Sequence, residues 1–336
     1  MLNEFRQDPV SGDWVLYATH RARKPGAFEK DKFYQTKEEC PFDGQRLIDQ
    51  GRPLAVWEHG KKVEGVPDNW TTLVINNKFP AVESGMCSPI HTRGPISTAD
   101  GRGFHELVIT RDHDRHFAQF TDEETAEVIM AYKDRYNAMA TDNCGDYISI
   151  FHNHGHLAGA TVYHNHTQIL SMPIIPSGVL RNVKNSVEYF ERTGERIHEV
   201  VLAWEMQERK RIIYENEKFV VLCPYVSRAP YQVRIFPKIR NAYFGDLDDA
   251  DIPFLAQALN MALKKINKAL DNIDYAFFIH TSPPHRLNVP SFDFYHWHVE
   301  ILPRSSIAAG LELGTNVFVN VVDPDVAAAE LREAVI

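Results

Sequence analysis

Cysteine is scarce in this sequence of 336 residues, which contains only four. Cys40, Cys87, Cys144 and Cys223 lie far apart, and so few thiols in so long a chain do not form the disulfide framework of a small secreted domain. Residues 1–14 carry acidic side chains and lack the apolar core of a secretory signal. These absences predict a reducing, cytoplasmic setting.

Long apolar runs and an excess of positive charge are also lacking. Charged residues, Pro or Gly interrupt every apolar run before it reaches the roughly 18 residues that cross a membrane. The 36 Lys and Arg residues are outnumbered by 45 Asp and Glu residues, giving a formal net charge of −9. Because nucleic acid is gripped through a broad basic face, we expect neither a nucleic acid nor a membrane as partner. A small anionic ligand needs only a local binding site, so it is compatible with the negative net charge.

Histidine, in contrast, is concentrated in two windows. Of the 16 histidines, five lie in 152–166 and four in 280–298. Superimposing the windows reveals an internal repeat, in which a strand-like run, a helical segment, an apolar strand-like run and a His-x-His motif follow in the same order. The copies comprise 105–113, 120–139, 147–155 and 163–170, and then 231–238, 247–266, 275–283 and 295–302.

Each copy has the pattern of a few antiparallel strands with one main helix. Thr121 and Glu124 form a capping box before an apolar stripe at helical spacing, and the flanking runs are rich in β-branched and aromatic residues. We predict an α+β fold made by tandem duplication, with units at 1–178 and 179–336. The polar, helical-looking segment 180–215 has no linker character, so the halves are expected to pack together.

The first His-x-His motif lies in a setting suited to chemistry. Residues i and i+2 of a strand point to one face, so His164 and His166 are expected to project together. The preceding segment 155–161 contains two glycines that permit close backbone approach, and Gln168 lies two residues beyond His166. Ordinary core or surface histidines are the alternative, which the glycines, the glutamine and the duplicate copy make less favourable.

The pattern Gly-x-Thr-x-x-His-x-His-x-Gln at 159–168, with NNKFP at 76–80 and the doubled architecture, resembles the galactose-1-phosphate uridylyltransferases. These are the two-unit branch of the histidine-triad superfamily. The resemblance extends from 5–25 to 310–320, which is nearly the whole chain. It implies that each half is a histidine-triad-like unit, with the active motif in the first.

The resemblance also implies a nucleotidyltransferase with ping-pong chemistry. His166 would attack the α-phosphorus of a nucleoside diphosphate sugar, release the sugar 1-phosphate and hold the nucleotide for a second phosphate-bearing acceptor. Gln168 and the backbone of the 159–161 turn would hold the phosphoryl oxygens. The substrate-binding positions that it implies are Gly159, Thr161 and Asn153 near the phosphates, Asn77 and Phe79 at the nucleoside, and Arg21 and Lys24, which reach a neighbouring subunit's ligand in a homodimer.

Two metal sites are implied. The family's zinc is held by a Cys-x-x-Cys pair, a later His and the first His of the motif, which here correspond to Cys40, Asp43, His113 and His164. Asp43 replaces the usual thiolate, and carboxylate oxygen is a competent zinc ligand.

The positions that match the second metal, iron or zinc, are His280, His296 and His298. A carboxylate usually completes that site, but the ungapped alignment places Asn182 there, so Glu188 or Glu191 would have to substitute.

The substrate is less well specified than the chemistry. Asn165 stands where the well-known uridylyltransferases have Pro, and 310–320 resembles a branch that includes ADP-glucose phosphorylases, which transfer AMP to inorganic phosphate. The leading hypothesis is a UDP-glucose:galactose-1-phosphate uridylyltransferase of galactose metabolism, and the alternative is the adenylyl-transferring phosphorylase. A third hypothesis, a metal-stabilised nucleotide-binding protein without turnover, is motivated by Asp43 and Asn182.

Overall fold

The computed structural model describes residues 3–21, 33–87, 89–305 and 308–336. The strands in these ranges are β1 (Glu4–Gln7), β2 (Trp14–Tyr17), β3 (Ala55–Glu58), β4 (Lys61–Val63), β5 (Thr72–Asn76), β6 (His91–Arg93), β7 (Ile96–Thr98), β8 (His105–Thr110), β9 (Tyr147–His154), β10 (His166–Met172), β11 (Ile212–Glu215), β12 (Phe219–Leu222), β13 (Val233–Pro237), β14 (Tyr275–His280), β15 (His298–Pro303) and β16 (Phe318–Asn320). The helices are α1 (Gly44–Ile48), α2 (Asp122–Ala140), α3 (Ser177–Thr193), α4 (Ile197–Glu208), α5 (Ile252–Ala269), α6 (Gly310–Thr315) and α7 (Pro324–Glu333). None of these helices has the length and apolar character needed to cross a membrane.

One antiparallel sheet runs through both halves of the chain. Eleven strands of the described ranges form it, in the order β11-β12-β13-β15-β14-β9-β10-β8-β5-β3-β4. The halves meet where β9 pairs with β14, with Phe151 opposite Phe278. The predicted α+β architecture is confirmed, and the predicted boundary between 178 and 179 falls in the first turn of α3.

Two long helices pack side by side on one face of this sheet. The capping box predicted for α2 is present, because the Thr121 hydroxyl accepts from the Glu124 N–H at 3.2 Å while the Glu124 carboxylate accepts from the Thr121 N–H at 2.8 Å. Thr125 of α2 donates to the Asn260 side chain of α5 at 2.7 Å. Each fully buried apolar side chain here contributes about 1.5–3 kcal/mol. The strand residues that belong to this core include Ile148, Ile150, Ile169, Phe277, Val299 and Ile301.

The opposite face of the sheet carries the polar residues of interest. Register places Gln168 opposite Phe151, Phe151 opposite Phe278, and Phe278 opposite Glu300, so these four side chains share that face. At one end it is covered by an apolar cluster of Cys40, Phe42, Leu47, Val56, Leu73, Ile75, Leu107 and Ile109. At the other end, Leu202 of α4 packs on β12 and β13. The middle of the face lines a cavity of about 520 Å³.

The cysteines include one pair that the sequence did not reveal. Cys87 and Cys144 are joined by a disulfide, whereas Cys40 and Cys223 are buried free thiols. This single bond, between residues 57 positions apart, is not a disulfide framework, but the sequence analysis did not predict it. Spacing could not predict it because three strands (β6, β7 and β8) and the helix α2 lie between the two cysteines in sequence, and only their folding brings the two segments together.

The continuous sheet predicts that the halves unfold together. Phe277 of β14 is 1% exposed and its ring stacks on His152 of β9 at a centroid distance of 4.9 Å. We expect Phe277→Ala to lower the free energy of unfolding by about 3–5 kcal/mol, in one transition followed by circular dichroism during equilibrium denaturation. Leu313→Ala, at a side chain that is 79% exposed, should change it by no more than about 0.5 kcal/mol. Two separate transitions in the unsubstituted chain would contradict the prediction.

Candidate functional site

The site is centred on His166, the first residue of β10. Its ring is 8% exposed and packs against Phe42 at a centroid distance of 5.2 Å. The Nδ1 atom lies 2.8 Å from the carbonyl oxygen of His164. Because a carbonyl only accepts, Nδ1 carries the proton and Nε2 keeps its lone pair. Burial lowers the pKa of His166, which favours the neutral ring that a nucleophile requires.

The other face of β10 fixes the strand against the helical layer. The hydroxyl of Thr167 lies 2.5 Å from the Tyr132 hydroxyl of α2 and 3.0 Å from Nδ1 of His152 on β9. All three side chains are buried. The alternation of the strand thus places His166 and Gln168 on the face opposite the helical layer, while Thr167 is fixed to that layer from the other side.

Gln168 is held from the neighbouring strand. Its Oε1 atom lies 2.9 Å from Nε2 of His105 on β8. His105 is 8% exposed and was not singled out from the sequence. Because β8 and β10 are paired, two strands contribute to the placement of the amide.

The glycine segment 155–161 is held by the second half of the chain. The Leu157 N–H donates to the Asp274 carboxylate at 2.8 Å, and the Arg304 Nε–H donates to the Leu157 carbonyl at 3.0 Å. Gly155 has φ 81° and ψ 162°, a conformation that is essentially restricted to glycine. Within the turn, the N–H of Gly159 donates to the His156 carbonyl at 2.9 Å.

The other expected substrate residues differ in their burial and in the groups that they contact. Asn153 of β9 shares the face of Phe151 and Gln168 and lines the cavity. Thr161 is exposed at the end of the turn. Asn77 approaches His105, with Nδ2 3.2 Å from Nε2, whereas Phe79 is 83% exposed.

Of the two basic residues, only Arg21 lies within the described ranges. Arg21 ends a short 3₁₀ turn (Thr19–Arg21) that follows β2 of the small three-stranded sheet. Lys24 lies outside the described residues. Their roles, like those of the other substrate residues, stay predictions.

Three of the four expected zinc ligands meet beside His166. Cys40, His113 and His164 are buried and each offers one ligand atom, all within 4.8 Å of one another. The ring protons are engaged elsewhere, because Nε2 of His164 contacts the Thr110 carbonyl at 2.6 Å and Nε2 of His113 contacts the Gln35 carbonyl at 2.7 Å. The Nδ1 atoms are therefore the acceptors: that of His164 lies 3.4 Å from the Cys40 sulfur, and among the described residues that of His113 has no hydrogen-bond partner. Such outer carbonyl contacts are typical of metal-ligating histidines.

Asp43 lies next to this group but is not part of it. It is the N-cap of α1, three residues after Cys40, and its side chain is half-buried at the edge of a large cavity. Two nitrogens and one sulfur fit zinc, with the fourth position open to Asp43 or water.

The second expected metal site contains a carboxylate that the sequence analysis did not consider. His280 of β14 lies opposite His298 of β15, with ring centroids 4.8 Å apart, and Glu300 completes the cluster. However, Glu300 accepts from Arg228 at 2.5 Å and from Arg234 at 2.8 Å. Although burial raises the pKa of Glu300, these two charges hold it well below its usual range. The carboxylate is thus already neutralised by arginine.

Of the remaining candidate ligands for this second site, only Asn182 lines the cavity that contains His280 and His298. His296 is 1% exposed, but it is outside the cluster and its ring packs against Phe236. Glu188 and Glu191 lie on the exposed side of α3, where neither reaches the buried rings.

His198 of α4 is the residue that sequence reasoning missed at the second site. Its ring lies 6.4 Å from that of His298, and its Nε2 atom is unpartnered among the described residues. A lone histidine in a helical stretch outside both histidine windows gave no signal for this proximity.

Gly155 gives a direct test of how the second half holds the site. A Cβ atom at this position would overlap the Asp274 carboxylate. Together with the positive φ, this overlap should make Gly155→Ala lower the free energy of unfolding by about 2–4 kcal/mol in urea denaturation. Gly101→Ala is the matched control, since nothing lies within 4 Å of its Cβ position, and it should change stability by less than about 0.5 kcal/mol. Equal effects of the two substitutions would contradict this account.

Comparison with known proteins identifies the family to which this chain belongs. The family model for the N-terminal domain of galactose-1-phosphate uridyl transferase matches residues 1–176. The chain is 31% identical to an ADP-glucose phosphorylase of Arabidopsis thaliana, over 98% of this chain and 92% of the relative. It is 26% identical to a galactose-1-phosphate uridylyltransferase of Thermotoga maritima, over 98% of each. The crystal structure of the Arabidopsis thaliana ADP-glucose phosphorylase with bound ADP-glucose superimposes with a TM-score of 0.82 at 29% identity, covering all of both chains. The chain therefore belongs to the galactose-1-phosphate uridyl transferase family and is a nucleotidyltransferase.

Proposed function

We propose that this chain transfers a nucleoside monophosphate from a nucleoside diphosphate sugar to a phosphate-bearing acceptor through a covalent intermediate on His166. The observation that carries the proposal is the free lone pair of His166 Nε2, which results from the Nδ1 hydrogen bond to His164. Gln168 lies on the same face two residues away. A neutral imidazole so oriented is suited to nucleophilic attack at phosphorus.

The reaction has two balanced displacements. In the first, Nε2 forms a bond to the α-phosphorus, the bond from that phosphorus to the bridging oxygen breaks, and the sugar 1-phosphate leaves with the electron pair. In the second, a phosphate oxygen of the acceptor attacks the same phosphorus and the N–P bond breaks, which returns the neutral ring. Splitting one displacement into two lets each substrate use the same pocket in turn.

The groups around His166 have supporting roles in this scheme. The amide of Gln168 donates to a phosphoryl oxygen where negative charge accumulates. Asn153 and Thr161, with the turn at Gly159, contribute to the phosphate region. Asn77 and Phe79 are assigned to the nucleoside.

Two donors are compatible with this chemistry. A UDP-sugar donor, with a hexose 1-phosphate acceptor, is supported by the family model and the Thermotoga maritima relative. An ADP-glucose donor, with inorganic phosphate as acceptor, is supported by the higher identity to the Arabidopsis thaliana phosphorylase and the TM-score of 0.82 to its complex. Asn165, in place of the Pro of well-known uridylyltransferases, also favours this second candidate.

We assign zinc to Cys40, His113 and His164, with Asp43 as the candidate fourth ligand. Bound there, zinc would brace the segment that presents the His164 carbonyl to His166. A second ion, iron or zinc, is assigned to His280 and His298, with His296 and Asn182 as further candidates. Both assignments are structural, and no chemical step passes through either ion.

A homodimer in the cytoplasm completes the proposal. Arg21 and Lys24 match family positions that reach the neighbouring subunit's ligand, so each site would be completed by its partner. The acidic composition is compatible with an enzyme that acts on small anionic substrates.

Intact mass after exposure to one donor without acceptor tests the proposal. We expect a gain equal to UMP with UDP-glucose or UDP-galactose, or a gain equal to AMP with ADP-glucose, because the first half-reaction should be trapped. His166→Gln should abolish the gain, while His285→Gln, at an exposed histidine, should retain it. No gain with any donor, in protein with verified metal content, would overturn the assignment of donor and mechanism.

Removal of Cys40 tests the zinc assignment. We expect purified Cys40→Ser to lose most of its zinc, measured by elemental mass spectrometry. If zinc is present at a hundred times its Kd, this loss removes about 2.7 kcal/mol of stabilisation. Cys223→Ser is the matched control, since Cys223 is equally buried but lies outside the cluster. Equal zinc contents in the two variants would contradict the assignment.

A further inference from the structure

His105 is a buried histidine that the proposed mechanism does not use. It begins β8, opposite Leu170 of β10, and is 8% exposed. Three polar groups surround its ring. The Ala81 N–H lies 3.0 Å from Nδ1, Gln168 Oε1 lies 2.9 Å from Nε2, and Asn77 Nδ2 lies 3.2 Å from Nε2.

These contacts determine where the ring proton lies. The Ala81 N–H can only donate, so Nδ1 of His105 is the acceptor and the proton of the neutral ring is on Nε2. Of the two groups near Nε2, the Asn77 amide presents its nitrogen, because its Oδ1 atom already accepts from the Phe79 N–H at 2.9 Å. An amide nitrogen only donates, so the Asn77 nitrogen cannot accept the Nε2 proton and its 3.2 Å approach is a contact without a hydrogen bond. The oxygen of Gln168 is therefore the acceptor for the Nε2 proton.

The orientation of the Gln168 amide follows from this proton. An amide has nearly the same shape after a half-turn about its last torsion, so packing alone distinguishes its oxygen from its nitrogen poorly. With Oε1 held by His105, the NH₂ group is directed away from His105 and is available to phosphoryl oxygens. In the reverse orientation the Gln168 NH₂ group, like that of Asn77, would face the Nε2 proton, which would then have no acceptor among these groups, and an oxygen would be directed at the phosphate.

We infer that His105 is a positioning residue that fixes the amide of Gln168 with its NH₂ group facing the phosphoryl group transferred by His166. The inference rests on the proposed function, since it assigns Gln168 a donor role during phosphoryl transfer. A donor aligned in advance stabilises the charge that develops on those oxygens without reorganising during the reaction. His105 acts through Gln168, and it contacts neither the phosphorus nor the nucleophile in this account.

Two substitutions of His105 distinguish the contact of its Nε2 atom with Gln168 from the contact of its Nδ1 atom with Ala81. His105→Gln places an amide nitrogen near the position of Nε2, so it can keep the donor to Gln168. His105→Asn places an amide oxygen near the position of Nδ1, so it can keep the acceptor for Ala81 but lacks a group that reaches Gln168. A merely structural role would not favour Gln over Asn in the rate of a chemical step.

The measurement is the single-turnover rate of nucleotide attachment to His166, followed by intact mass with whichever donor labels the unsubstituted protein. We expect His105→Asn to slow attachment by about 10- to 100-fold, the usual effect of removing a supporting hydrogen bond. The donor concentration that gives half the maximal rate should change little, because binding is not the step that Gln168 serves. His105→Gln should recover most of the lost rate, and melting temperatures of both variants verify the fold.

A double-mutant cycle with Gln168→Leu tests whether His105 acts through Gln168. In that background, His105→Asn should have almost no further effect, because the amide that it orients is gone. An equal loss in both backgrounds, or a rate unchanged by His105→Asn alone, would overturn the inference while leaving the covalent mechanism intact. If the unsubstituted protein forms no adduct on His166, the proposed function fails and this inference fails with it.

Discussion

The hydrogen bond from Nδ1 of His166 to the carbonyl oxygen of His164, at 2.8 Å, is the contact on which the rest of the site depends. It fixes the tautomer, and hence which nitrogen has a free lone pair. The carbonyl itself is fixed because the His164 ring contacts Cys40 and the Thr110 carbonyl. The candidate zinc cluster, the edge of β8 and the nucleophile are therefore one connected structure.

The second His-x-His motif has the same histidine geometry as the first but a different residue two positions later. Nδ1 of His298 lies 3.0 Å from the His296 carbonyl, which repeats the arrangement around His166. Two residues later, however, the second copy has Glu300 where the first has Gln168. A carboxylate would repel a phosphoryl group, and Glu300 is instead paired with Arg228 and Arg234. We infer that the second copy keeps the hydrogen bond between the two histidines of the motif but does not bind a phosphoryl group.

The second half nevertheless contributes to the first site. Asp274, which immediately precedes β14, and Arg304, which immediately follows β15, hold the turn at Leu157. The pairing of β9 with β14 brings these residues close, although more than a hundred positions separate them in sequence. Fusion of the two units in one sheet thus lets the second half hold the glycine segment 155–161 of the first.

Local patterns predicted much of this architecture. The capping box at Thr121 and the apolar stripe that follows identified α2, and the repeat identified α5. The strand-like runs of the repeat identified β8, β9, β10, β13, β14 and β15, whereas β11 lies in the segment 180–215 that was expected to be helical. The His-x-His repeat identified the motif because strand alternation is a local rule, although β10 begins only at His166. These features depend on residues a few positions apart.

Other features depend on tertiary contacts and had no local signal. His105 is one of three polar residues in β8, and only pairing of β8 with β10 brings it to Gln168. His198 approaches the second histidine pair only through the packing of α4. The bond between Cys87 and Cys144 likewise depends on tertiary contacts. Glu300 differs, because it lies two residues beyond His298 on β15, and strand alternation gave a local signal for it that the sequence analysis did not use.

The central claim is that one of two similar histidine motifs carries the covalent chemistry. Peptide mapping by fragmentation mass spectrometry, after brief exposure to the labelling donor without acceptor, locates the nucleotide directly, and phosphorus NMR of the same sample identifies the N–P bond. The account predicts a single phosphoramidate on His166 and none on His298. A nucleotide on His298, or on a residue other than histidine, would contradict it.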